Sequence, residues 1–257
     1  MATTNGTLPT TPTITPLRRT ATGARQTKET TIQLSLSLDG GELTPLPILL
    51  PHFPDVFPDT SRPGVDGVKG RPRGHATQIT KTQMIDVDTG LGFLDHMLHA
   101  LAKHAGWSLL LTYMGGVGLD AVDDHHTAED IFLLLGSTFH DAVFPPVSLH
   151  RFGSAHVPLD EALSRSVVDL SNRPYAHISL NFKREKVGDV STEMLEHALR
   201  SFAEEARICL HVDNLRGEND HHKAESAFKA TAVALREACE RRIGVGEGEL
   251  GSSKGVL

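Results

Sequence analysis

From Thr30 the chain alternates apolar and polar positions (Ile32, Leu34, Leu36, Leu38) until Asp39-Gly40-Gly41, which predicts a strand running into a turn. Residues 77–87 carry a weaker alternation. At Phe93 the period changes. Leu94, Met97, Leu98 and Leu101 fall three and four apart, predicting a helix through His104 that stops at Gly106. Residues 107–113 read as a buried strand, and the segment opening at Asp124 places Ile131, Leu134, Leu135 and Phe139 on one helical face. The plan then returns: strands over 166–170 and 175–182, a helix from Thr192 to about Ala206, a strand over 208–212, and a helix through Phe228, Ala232 and Leu235. Each half thus reads ββαβα. The expectation is an α+β fold, a tandem duplication with two-layer mixed sheets and helices on one face. Chain order leaves the order of strands within each sheet open.

The repetition extends to single residues. Asp124-His125-His126-Thr127-Ala128-Glu129 returns 96 residues later as Asp220-His221-His222-Lys223-Ala224-Glu225. Leu94-Asp95-His96-Met97-Leu98 returns 101 residues later as Leu195-Glu196-His197-Ala198-Leu199. The predicted organisation is a first half over 25–150, a second over 151–245, and a tail over 246–257. Residues 44–75, with seven prolines, read as a surface insertion. Residues 1–24, rich in Thr and Pro and without the apolar stretch of a secretory signal, read as a disordered arm.

Composition narrows the chemistry. A formal charge of −7 without a basic block argues against nucleic acid as the main partner. Two cysteines exclude a disulfide scaffold and a thiolate zinc module, and suit a reducing compartment, here the cytoplasm. No apolar run reaches the length of a membrane span.

On a helix, His125 and Glu129 share a face, while His126 lies ~100° round and addresses a different ion. His221, Glu225 and His222 repeat the pattern. A pseudo-twofold between halves would give two sites, each with a His/Glu pair from one helix, the odd histidine of the other, and an upstream histidine. Spacing does not say whether His96 or His197 completes which site. A nitrogen-rich, thiolate-free, open set suits Mn²⁺, Fe²⁺ or Co²⁺ better than structural zinc. A lone HHxxE is most often only a helix surface; the second copy, with its own upstream histidine, is what makes the metal reading the stronger. Asp95, Asp124 and Asp220 suit helix N-caps or acceptors for ligand imidazoles. Arg151 and Arg173 are suited to bidentate phosphate binding, and Lys229 lies one helical turn after Glu225. Composition alone makes the C-terminal segment a frayed tail.

Gly92-Phe93-Leu94-Asp95-His96-Met97, the two DHH segments, Arg151-Phe152-Gly153 and Asp169-Leu170-Ser171-Asn172-Arg173-Pro174 together resemble the imidazoleglycerol-phosphate dehydratase family of histidine biosynthesis, in its fungal form. The resemblance runs from about Glu29 to the C-terminus, interrupted by the Pro-rich insertion. It implies a hydro-lyase that dehydrates imidazole glycerol phosphate to imidazole acetol phosphate through a dimanganese-bound imidazolate. It also implies two Mn²⁺ per subunit and a homo-oligomer, a 24-mer, with metal sites where subunits meet. The ligand sets so implied are His96, His126, His221 and Glu225 for one ion, and His125, Glu129, His197 and His222 for the other. Implied substrate contacts are Glu29, His104, Arg151, Arg173, Lys229, Ser252, Ser253 and Lys254, beside the ligands His96, His125, Glu129 and His221. Glu29 and Glu225 are the candidates for moving protons. The implied fold is similar to the second domain of ribosomal protein S5, with left-handed crossovers. Two alternatives stand beside it: a binuclear phosphohydrolase, disfavoured by the scarcity of Asp bridges, and a non-enzymatic metal-binding assembly protein.

Overall fold

The computed structural model describes residues 18–43, 76–115, 123–244 and 248–257. The insertion expected over 44–75 and residues 1–17 of the arm lie outside them.

The first half runs β1 (Thr20–Gln26), β2 (Thr30–Ser37), β3 (Thr77–Ile79), β4 (Met84–Asp88), α1 (Gly92–Ala105), β5 (Ser108–Gly115) and α2 (Asp124–Val143). The second runs β6 (Phe152–Leu159), β7 (Ala162–Asp169), β8 (Tyr175–Ser179), β9 (Lys186–Val187), β10 (Val190–Ser191), α3 (Thr192–Glu205), β11 (Cys209–Arg216) and α4 (Asp220–Ala238). The main sheets are mixed, in orders β1-β2-β5-β4-β3 and β6-β7-β11-β8. The topologies match. Each half opens on an antiparallel hairpin, and the strand between its helices pairs antiparallel with the hairpin and parallel with an earlier strand, β4 in the first half and β8 in the second.

Each half therefore holds a leading strand that the ββαβα reading lacked. β1 (TATGARQ) and β6 (FGSAHVPL) are edge strands with few large apolar residues, so their periodicity is weak. The arm expected over 1–24 overlaps β1 and is corrected there for the same reason: Thr20–Gln26 pairs residue by residue with β2. The weak strand predicted over 77–87 is a small hairpin, β3 and β4.

β2 points Ile32, Leu34 and Leu36 into the core, where β5 adds Leu109 and Leu111. α1 ends because Gly106 adopts the left-handed conformation (φ 75°) that a side chain resists. Gly153 in β6 answers a different need: a Cβ there would lie 2.0 Å from the Ala234 carbonyl oxygen of α4. The four helices meet between the sheets, α1 against α4 and α2 against α3. One core cluster joins the halves, with Trp107 on Phe139 and Phe139 on Phe202. This crossing of helices between halves brings the repeated motifs together.

Candidate metal centre and phosphate site

Among the described residues, each cluster of side chains that could hold a metal ion takes residues from both halves. His96 of α1 joins His221 and Glu225 of α4; His197 of α3 joins His125 and Glu129 of α2. Within each trio the ligating atoms lie within 4.8 Å of one another. In the first, His96 Nε2 and His221 Nε2 stand 3.1 and 3.3 Å from Glu225 Oε2. Phe93 meets both rings edge-on. In the second, His197 Nε2 is 3.0 Å from Glu129 Oε1, and His125 Nε2 is 4.0 Å from Glu129 Oε2.

His126 and His222 are not in these trios. The His221 and His222 rings are nearly perpendicular (89°), and as neighbours on a helix the two side chains leave the axis ~100° apart. His126 Nδ1 meets Glu29, between β1 and β2. His222 Nδ1 meets Glu161 Oε2 at 2.7 Å, between β6 and β7. Each odd histidine thus rests on an acid at the tip of its own half's leading hairpin. Glu161 gave no signal in the sequence, because it lies 61 residues before its partner.

Electrostatics separate the carboxylates. Burial raises the Glu225 pKa, but the Lys229 ammonium, 2.6 Å away, and His96 outweigh it and hold the group at about 2. The amide of Asn219 and the His222 ring hold Glu161 at about 2 as well. His104 is shifted down, by burial and then by the charge of Lys229.

The motif aspartates do not serve as the caps or imidazole acceptors expected of them. The side-chain caps of α2 and α4 are Asp123 and Asn219, which accept from the amides of His125 and His221. Asp124 accepts from the amide and hydroxyl of Ser191, at the start of α3. Asp220 accepts from the amides of Lys183 and Arg184 and from Lys223 Nζ. Asp95 accepts from the amide and hydroxyl of Thr89, and burial pushes its carboxyl up to about 6 against those bonds. For Asp124 and Asp220, amides far along the chain won over local capping.

Arg151 lies elsewhere. Arg151, buried, bonds Asp169 Oδ1 (2.7 Å) and the Gly251 carbonyl (2.6 Å). Ser252, Ser253 and Lys254 follow directly. The C-terminal segment is held rather than frayed: Leu250 bridges Val147, and the Leu257 carbonyl accepts from Asn172, next to Arg173. The Arg151 amide donates to the Ala238 carbonyl at 3.0 Å, and Ala238 follows Glu225 by 13 residues of α4. At 1.5 Å per residue this is about 20 Å. Within one chain Arg151 and the Glu225 trio stand at opposite ends of a helix.

The imidazoleglycerol-phosphate dehydratase family model matches residues 89–235. An imidazoleglycerol-phosphate dehydratase of Neurospora crassa is 56% identical over 243 residues, covering 94% of this chain and 97% of that one. Its counterpart in Saccharomyces cerevisiae is 52% identical over 233 residues, with 91% and 96% covered. A crystal structure of the Staphylococcus aureus enzyme superposes with a TM-score of 0.62 at 28% identity, over 86% of this chain and 99% of that one.

Proposed function

The chain belongs to the imidazoleglycerol-phosphate dehydratase family, and on that premise we propose that it converts imidazole glycerol phosphate to imidazole acetol phosphate with two Mn²⁺ per subunit. One observation carries the metal reading: each trio joins an upstream histidine of one half to a His/Glu pair of the other. Two imidazoles and a carboxylate from protein, with no thiolate, fit a six-coordinate Mn²⁺ that keeps places for water or substrate. In this reading His126 and His222 complete the trios of neighbouring subunits, one for each set.

The reaction expels hydroxide from the carbon bearing the imidazole and removes a non-acidic hydrogen from the next carbon, leaving an enol that tautomerises to the ketone. Bound Mn²⁺ would supply Lewis acidity that lowers the pKa of the substrate ring N–H. Glu225, ionised with a pKa of about 2 and locked to Lys229, acts as a ligand throughout neutral pH. That leaves Glu29, on an exposed hairpin tip beside His126, as the group that moves protons. Arg151, Arg173 and Lys254, with the Ser252 and Ser253 hydroxyls, hold the phosphate by charge-assisted hydrogen bonds. His104 and Lys229 line the substrate beside the Glu225 trio.

The separation of about 20 Å between Arg151 and Glu225 supports a site shared between subunits. A three-carbon chain between ring and phosphate cannot span it. The homo-oligomer, a 24-mer in this reading, brings one chain's arginines to another's metals. Among the described residues no helix is long and apolar enough to cross a membrane, and the two free thiols suit the cytoplasm.

The test is turnover of imidazole glycerol phosphate by chelator-stripped protein before and after Mn²⁺ is restored, following ketone and inorganic phosphate together. Metal-dependent ketone without phosphate supports the proposal. Released phosphate, or no product, refutes it.

A further inference from the structure

We propose that Glu161, at the tip of the β6–β7 hairpin, is a positioning residue that presents His222 to its metal; this rests on His222 being a ligand, as read above. A neutral imidazole carries one proton and one lone pair, and whatever bonds one nitrogen decides what the other offers. Glu161 Oε2 lies 2.7 Å from His222 Nδ1, so the carboxylate accepts the Nδ1 proton and leaves the Nε2 lone pair outward. Nε2 stands 3.8 Å from Asp160 Oδ2, beyond hydrogen-bond reach.

The carboxylate is itself fixed. Its other oxygen accepts from the amides of Glu218 (3.2 Å) and Asn219 (2.9 Å), the residues at which α4 begins. Asn219 also caps the helix through the His221 amide. One side chain therefore ties the hairpin tip, the helix start and the second histidine together. The first half repeats the geometry, with Glu29 on His126 Nδ1. A carboxylate behind a metal-bound imidazole orients the ring and raises its basicity, and losing such a partner weakens metal binding by roughly 10–100-fold.

A simple loop anchor would make the same bonds to the amides, and charge separates the two roles. Glu161→Gln keeps an oxygen for the Glu218 and Asn219 amides but removes the negative charge behind His222. The measurement is Mn²⁺ titration calorimetry on chelator-stripped, assembled protein, with melting temperature and assembly mass recorded for each variant. Wild type should bind two Mn²⁺ per chain. E161Q should weaken one of them by about 10–100-fold, with the second Mn²⁺, the metal-free melting temperature and the mass unchanged. Glu161→Ala should weaken the same ion at least as much. Wild-type Mn²⁺ affinity in E161Q, with loss in Glu161→Ala only alongside lower melting or mass, would make Glu161 an anchor and overturn the proposal. His222→Ala is the reference for the underlying reading. If it keeps both ions at full affinity, His222 is no ligand and the proposal falls with that reading. If it loses one ion while E161Q does not, the role of Glu161 alone is refuted.

Discussion

The Asp220–Lys223 pair at the start of α4 offers the sharpest energetic test. Both side chains are 2% exposed, and Lys223 Nζ bonds Asp220 Oδ1 at 2.9 Å and the Asn181 carbonyl at 2.7 Å. Asp220 Oδ2 also takes the amides of Lys183 and Arg184, at 2.9 and 2.8 Å. The partners are thus unequally supported. Asp220→Ala leaves a buried ammonium with one neutral acceptor, an uncompensated charge that costs about 3–5 kcal/mol. Lys223→Met leaves a carboxylate still held by two amides, so the loss approaches that of one hydrogen bond to a charged group, about 1.5–3 kcal/mol. The double variant removes both charges and should fall short of the summed losses by about 1–3 kcal/mol. Urea unfolding of metal-free protein at one fixed protomer concentration reads all four corners of the cycle. Additivity within about 0.5 kcal/mol, or a Lys223→Met loss equal to that of Asp220→Ala, would show that the pair is not coupled as described.

Glu29→Gln should abolish turnover even at Mn²⁺ concentrations that fill both sites; near-normal kcat would remove Glu29 from proton transfer. Gly153→Ala forces a Cβ onto the Ala234 carbonyl, and overpacking against backbone should cost about 3 kcal/mol. A fall in melting temperature of roughly 6–12 °C is expected, and a fall below 2 °C would mean that β6 is not seated on α4. Acid should destabilise the metal-free protein in a definite window. Burial raises the Asp220 carboxyl, but Lys223 and the two amides outweigh it and hold it below its ordinary value. A depressed folded pKa gives stability that is complete above the unfolded value of about 3.9 and is lost as pH falls through the folded one. The contribution of Asp220, read as the difference in unfolding free energy between wild type and Asp220→Asn, should therefore be flat from pH 7 to about 5 and fall below about 4. A difference unchanged with pH would contradict it.

How much of this was legible in the sequence depended on where the partners lie. Helices α1 to α4 announce themselves because each buries a stripe of Leu, Met, Ile or Phe at helical spacing. Two copies of one motif single out, even without geometry, the side chains that meet in the two trios. β1 and β6 were hidden because an edge strand buries little: the β1 burial pattern alternates only between exposed and intermediate positions. Asp124 and Asp220 were misread because capping is a local rule, while Ser191 lies 67 residues away and Lys183 37. Glu161 was missed for the same reason. Its partner histidine belongs to a motif, but the glutamate stands in an ordinary two-residue turn.

The crossing of the trios bears on ancestry. His96 serves the His/Glu pair of the second half, and His197 serves that of the first. A half-length chain folded alone would therefore own an upstream histidine and a His/Glu pair that do not meet. Two copies related by a twofold axis would form both trios at once and identically. The simplest precursor is a homodimer whose gene doubled and fused. In such a history the contacts within the trios predate the covalent link, and so does the acid at each hairpin tip, kept as Glu29 in one half and Glu161 in the other.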